Sequence, residues 1–228
     1  MRLGSTELLD LLQVADSAFP IGSFSHSLGL ESLAAEGALA SAADLSRTGE
    51  RLLGGLATSD LPAARAAHGA DELESLLAAD HAVTATRSAR ESREASAAMG
   101  RRMIVAARAI GVSDPLLDAY EESVRGERAP GSHPVAWGSS LRAMGVSLDA
   151  ALHGLAFSVL AGFVAAGQKL IPLGQGAAQG VLRELRCTIA AAVERSRDIE
   201  PLGVFAFAPE LEIASMAHER LDGRLFAS

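Results

Sequence analysis

Six histidines, one cysteine and one lysine flanked by apolar sequence are the side chains here with most chemistry to offer. The histidines are His26, His68, His81, His133, His153 and His218. No two lie three or four residues apart, so no helix face carries the His pair that an autonomous metal site uses. Cys187 has no Cys or His nearby in sequence. It sits among Leu185, Ile189 and Val193, a spacing that predicts a core thiol. No G-x-S-x-G elbow and no G-x-x-x-x-G-K-[ST] loop is present, so neither a serine nucleophile nor a nucleotide site of its own is indicated. The glycine-rich run 174–180 follows no strand, and its glycines suit a turn or close helix packing. Lys169 follows an uncharged run, 150–168, and precedes Leu170, Ile171 and Pro172. An unpaired buried ammonium is costly, so Lys169 must snorkel outward or meet a partner.

Three longer stretches could present these groups. Residues 18–31 (AFPIGSFSHSLGLE) hold a proline, two glycines and three serines between two helical patterns. Pro20 and Gly22 turn the chain, and Ser23, Ser25 or Ser27 could cap the following helix. Phe19, Ile21, Phe24 and Leu28 predict a loop folded back onto the protein, with His26 and Glu31 inside or beside it. Between Arg87 and Arg102, arginine, serine and glutamate alternate, with Arg87–Glu91 and Arg90–Glu94 at i,i+4 spacing. This reads as a solvated helix face or one laid against a partner. The C-terminal residues 210–228 mix apolar, acidic and basic side chains, as in a segment that docks on its own domain or on another protein.

The elements that must position these groups are helices. Alanine and leucine supply most of a 49 % hydrophobic composition, and aromatics are 4 %. Those are strong helix formers, and β-branched runs are scarce. The pattern predicts helices over 6–16, from about 25 to 36, and from the Ser41–Asp44 cap to 57. Further ones start near Pro62 with Asp60 as cap and at 71–79, followed by a long helix over 81–110. Others follow Asp114-Pro115 and span 135–144. A buried helix opens at Ser147 or Asp149 and ends near Lys169, before a last long one over 174–197. The stretch 126–134 is the clearest loop. The expected architecture is all-α, a single bundle-like domain over 1–228 with about ten helices and 209–228 as a docking tail.

Composition narrows the function. A formal net charge of -8 argues against a protein built to bind nucleic acid. The most apolar stretch, 155–167, is short of the roughly 20 residues a membrane span needs. With a lone cysteine and no apolar leader, a cytoplasmic protein is expected.

Five segments in order then resemble the UreF family of urease accessory proteins. They are Leu12–Glu31 with its Pro-Ile-Gly-Ser-Phe-Ser-His-Ser centre, Glu91–Ser96 with Met99-Gly100-Arg101, and His133-Pro134-Val135-Ala136-Trp137-Gly138. Lys169-Leu170-Ile171-Pro172-Leu173-Gly174-Gln175 and the tail Ile213–Glu219 with Arg224-Leu225-Phe226 complete the set. The resemblance implies an all-α, non-catalytic protein that joins a UreD/UreH scaffold to the UreG GTPase and helps pass nickel to apo-urease, with a tendency to form homodimers. It implies a GTPase-facing surface at Glu31, Lys169 and Gln175. It also implies a scaffold-facing surface at Met216, His218, Arg220, Arg224 and Phe226. No tightly held cofactor is expected, nickel being transient, with His26 as a weak candidate ligand on a wet passage. The competing expectation is an all-α enzyme with a buried polar site around His26, Glu31, Lys169 and Gln175. A purely structural helical protein is a third.

Overall fold

The computed structural model describes residues 4–205 and 207–227, with the side chain of Phe24 outside that description. The expected inward turn of Phe24 therefore lies outside the described residues. Every regular element among them is helical: twelve α-helices and one short 3-10 turn, Ser23–Ser25. The all-α expectation is met. Boundaries differ at several places.

Helix α1 (Ser5–Ala15) leads into the buried loop, where Phe19 and Ile21 pack inward as the pattern predicts. Helix α2 (Leu30–Ala35) begins several residues later than expected. Gly29 precedes it at φ +88°, a conformation that favours glycine, and the chain cannot become helical before that turn. Helices α3 (Ala42–Thr58) and α4 (Asp60–Gly69) follow. Ser41 caps α3 by accepting the Asp44 N–H, as expected, but Asp60 is the first residue of α4 rather than its cap.

The break expected between the helices over 71–79 and 81–110 falls instead at 86–89, so the first turn of the long helix belongs to the one before it. Helix α5 (Leu73–Ala85) ends at Thr86, whose hydroxyl donates back to the Val83 carbonyl, and α6 (Arg90–Ala109) restarts after four residues. Asp71 consequently does not cap α5; Glu72 occupies that position. Helix α7 (Pro115–Arg125) is capped by Asp114, whose carboxylate accepts the N–H groups of Leu116 and Leu117.

The loop after α7 is held from below. Asp80, fully buried, accepts the Tyr120 hydroxyl at 2.8 Å and the N–H groups of Gly131 and Ser132 at 2.8 and 2.9 Å. Burial and the Asp80 charge hold the Tyr120 phenol well above its ordinary pKa. This anchor delivers the chain into α8 (His133–Ala143), the inner helix, buried at every residue from His133 to Leu141. Helix α8 packs against α4 and α6. A Cβ on Gly138 would fall on the Ala64 carbonyl, so that crossing requires glycine.

Helix α9 (Leu148–Leu170) lies alongside α8 and α3. It is longer than the apolar stretch in its middle and has the length and hydropathy to cross a membrane. Yet 61 % of its most apolar window is buried inside the protein, as in a core helix. The Trp137 indole donates to its Ala151 carbonyl at 2.9 Å.

The last long helix is also broken, into α10 (Gln175–Glu184) and α11 (Arg186–Ser196), because Leu185 turns inward to the core. The new direction buries Leu185, Ile189, Ala192 and Val193 and turns Cys187 outward, so the expected core thiol is an exposed one. Helix α12 (Pro209–His218) then returns across α2 and α6.

Candidate functional site: an internal cleft beneath a latched tail

Two arrangements of polar groups sit side by side where α2, α6 and α12 meet. The first fastens the C-terminal residues to the body. His218, the last residue of α12, has no exposed side-chain surface. Its Nε2 lies 2.9 Å from a Glu31 carboxylate oxygen and its Nδ1 lies 2.7 Å from one of Glu91. Arg224 donates to the other Glu91 oxygen at 2.6 Å. Glu31 also accepts the N–H groups of Leu225 and Phe226, at 2.6 and 3.1 Å. The Ala227 N–H donates to the Ser25 carbonyl at 2.8 Å, tying the tail to the first loop.

Glu31 and Glu91 stand in the first turns of α2 and α6, and His218 in the last turn of α12. Each carboxylate therefore complements the dipole of its own helix. Each imidazole nitrogen thus faces a carboxylate oxygen on a different helix. Burial pushes both glutamates up. The Leu225 amide, His218 and the Phe226 amide outweigh it at Glu31, as His218 and Arg224 do at Glu91, so both lie below the ordinary carboxyl value.

The second arrangement is an internal cleft of about 130 Å³. Its polar lining includes His26, Asp60, Arg87, Ser96, His133 and Glu212. Asp60 accepts Arg87 Nη2 at 2.7 Å and the Ser59 hydroxyl at 2.9 Å. His133 is buried, and its Nε2 has no protein partner, nor has Arg87 Nε. Burial lowers the His133 pKa to about 4; Asp60 opposes that shift and Arg87 adds to it. His133 is thus neutral at pH 7. Burial, then Arg102, also lowers His26. One wall of the cleft, formed by Phe207, Ala208, Glu212 and Ser215, belongs to the C-terminal segment.

The residues expected to act together take the following places. Glu31 is committed to the tail. Lys169, the only lysine in the sequence, is exposed at the end of α9, with Nζ 5.3 Å from the centre of the Phe226 ring. Gln175 is exposed at the start of α10. His26 lines the cleft. Of the tail residues, Met216, Arg220 and Arg224 keep exposed surface, while His218 and Phe226 are buried. Among the described residues, no group of three or more His, Cys, Asp or Glu is arranged to hold a metal ion.

Spacing alone missed Glu91 and Arg87. The i,i+4 pairing of the two fails because Arg87 lies before α6 begins; it pairs with Asp60, and Glu91 is left for His218. The Arg90–Glu94 pair does form. The signal available was that the second and fifth resembling segments carry complementary charges.

A family model described as UreF matches residues 39–186. A urease accessory protein UreF of an Arthrobacter species is 36 % identical over the whole of both chains. This chain belongs to the UreF family. The UreF of Kocuria rhizophila is 34 % identical over 97 % of each chain, and that of Haemophilus influenzae 33 % identical over 98 % of this chain and 96 % of its own. The family model ends at the start of α11, but these UreF matches run almost end to end. The Arthrobacter match therefore spans the tail as well as the bundle. The likeness is to accessory proteins, and it ties the chain to urease maturation.

Proposed function

We propose that this chain is a non-catalytic adaptor of urease maturation. It joins a UreD/UreH scaffold to the UreG GTPase in the cytoplasm and helps nickel reach apo-urease. The observation that carries this reading is the end-to-end likeness to proteins named urease accessory protein UreF. Two structural features support it. Lys169 and Gln175 are exposed near the turn between α9 and α10, where a GTPase could engage them. The tail leaves Ile213, Met216 and Leu225 exposed, apolar surface suited to a scaffold.

Nickel enters this reading as cargo. His26, Asp60 and Glu212 line the cleft but form no compact ligand set. Dispersed ligands bind weakly, and weak binding lets an ion high in the divalent affinity order move on. A homodimer is the assembly we expect. The test mixes the purified chain with the scaffold and the GTPase and measures complex size and GTP turnover. A ternary assembly is expected, with no turnover from this chain alone. Failure to assemble, or hydrolysis by the isolated chain, overturns the adaptor reading.

A further inference from the structure

We propose that the C-terminal segment, residues 207–227, is a hinged cover over the internal cleft, held shut by the Glu31–His218–Glu91–Arg224 cluster. The segment forms a wall of the cleft through Phe207, Ala208, Glu212 and Ser215. Removing it would open the cleft to water along one whole side.

The attachment is of the kind that can release. At the hinge, residues 199–205 form no helix and are pinned only at their two ends: Arg65 donates to the Ile199 carbonyl, the Phe205 N–H donates to the Thr58 carbonyl, and the Thr58 hydroxyl donates to the Phe205 carbonyl. Between hinge and latch, the hold is largely polar. Arg51 pairs with Glu210, and the Ser88 N–H donates to Glu212. Among the cover's apolar side chains, Leu211, Ala214 and Phe226 are buried, whereas Phe207, Ile213, Met216 and Leu225 are exposed. A segment with few buried apolar contacts opens at a free energy well below that of global unfolding. The latch supplies most of what is specific. His218 bridges two carboxylates on two different helices of the body, so its loss leaves Glu31 and Glu91 in mutual repulsion beneath the cover.

The cover operates whatever the cleft carries, so its test needs neither nickel nor a partner. The reporter is Ala95→Cys, on the cleft wall contributed by α6, in a Cys187→Ser background that removes the exposed native thiol. The rate of modification by a small thiol reagent is measured in the full chain with the latch intact, with His218→Ala, and with Arg224→Ala. Arg224 is 40 % exposed, so its truncation leaves the core untouched. We expect at least a ten-fold faster reaction in His218→Ala and a smaller acceleration in Arg224→Ala. The amides of Leu225, Phe226 and Ala227 should lose hydrogen-exchange protection while those of α8 keep theirs. Tail amides that lose protection without any acceleration overturn the cover. Tail amides that stay protected in both variants overturn the latch. Loss of α8 protection in Arg224→Ala as well as His218→Ala overturns both, because the cluster would then be part of the global fold.

Discussion

At the scale of single residues, one buried acid anchors the entry to α8. Asp80 satisfies three donors that have no other acceptor: the Tyr120 hydroxyl and two amides of the loop before α8. Asp80→Ala leaves all three buried and unpaired, and should lower unfolding free energy by about 3 kcal/mol in urea titration. Tyr120→Phe removes one donor and should cost about 1 kcal/mol.

The acid limb of stability follows from groups whose folded pKa is depressed. His133 is held at about 4 in the folded protein against 6.5 when free, so its contribution is present above pH 6.5 and lost as pH falls toward about 4. Glu31 and Glu91 lie below 4.5, so the latch is complete above that value and fails as pH drops through their lower folded values. The imidazole of His218 and the charges of Arg224, Glu219 and Arg90 also stand at this junction. Lowering pH from 6.5 to 5 should therefore reduce stability in urea while the NMR amide signals of Leu225 and Phe226 stay put. Those signals should shift only below about pH 4.5. Lys169 is the remaining residue-scale test. Lys169→Ala should impair GTPase coupling or urease activation while leaving helix content unchanged by circular dichroism. Unchanged activation would reduce it to a side chain resting on Phe226.

At the scale of elements, packing is decided where helices approach too closely for side chains. Helix α8 crosses α4 at Gly138 against the Ala64 carbonyl, and crosses α6 at Gly100 against the backbone of Gly131 and Ser132. A methyl at Gly138 has backbone in front of it rather than a side chain that can move. Gly138→Ala should destabilise by about 3 kcal/mol, read as a lower denaturation midpoint with an unchanged slope. Local signals placed most helix starts correctly: Ser41 and Asp114 cap as their chemistry requires. Helix breaks were less legible. Neither the gap at 86–89 nor the kink at Leu185 carries a proline or glycine. Tertiary packing makes both, in one case to bring Arg87 to Asp60 and in the other to bury Leu185.

At the scale of the molecule, the tail closes the structure upon itself. Residues near both ends of the chain and on α6 meet at one cluster, and the cleft lies beside it. Truncation after Pro209 removes nearly all of α12, the tail side of the latch and half of one cleft wall together. It should abolish scaffold binding in a pull-down while the bundle of α3–α9 stays folded by circular dichroism. Retained binding would confine the tail to its own domain.

Helical class, the first-loop turn, most caps and the likeness to urease accessory proteins were all written in residue types and short spacings, because propensity, capping and motif are local properties of a chain. The pairing of Glu31 with Glu91 through His218 was not, nor were the neutral buried His133 and the cleft it lines. Those depend on which helix ends are brought face to face. That choice is made by packing around α8, between residues far apart in sequence, and by the removal of water from charges that look ordinary until they are buried.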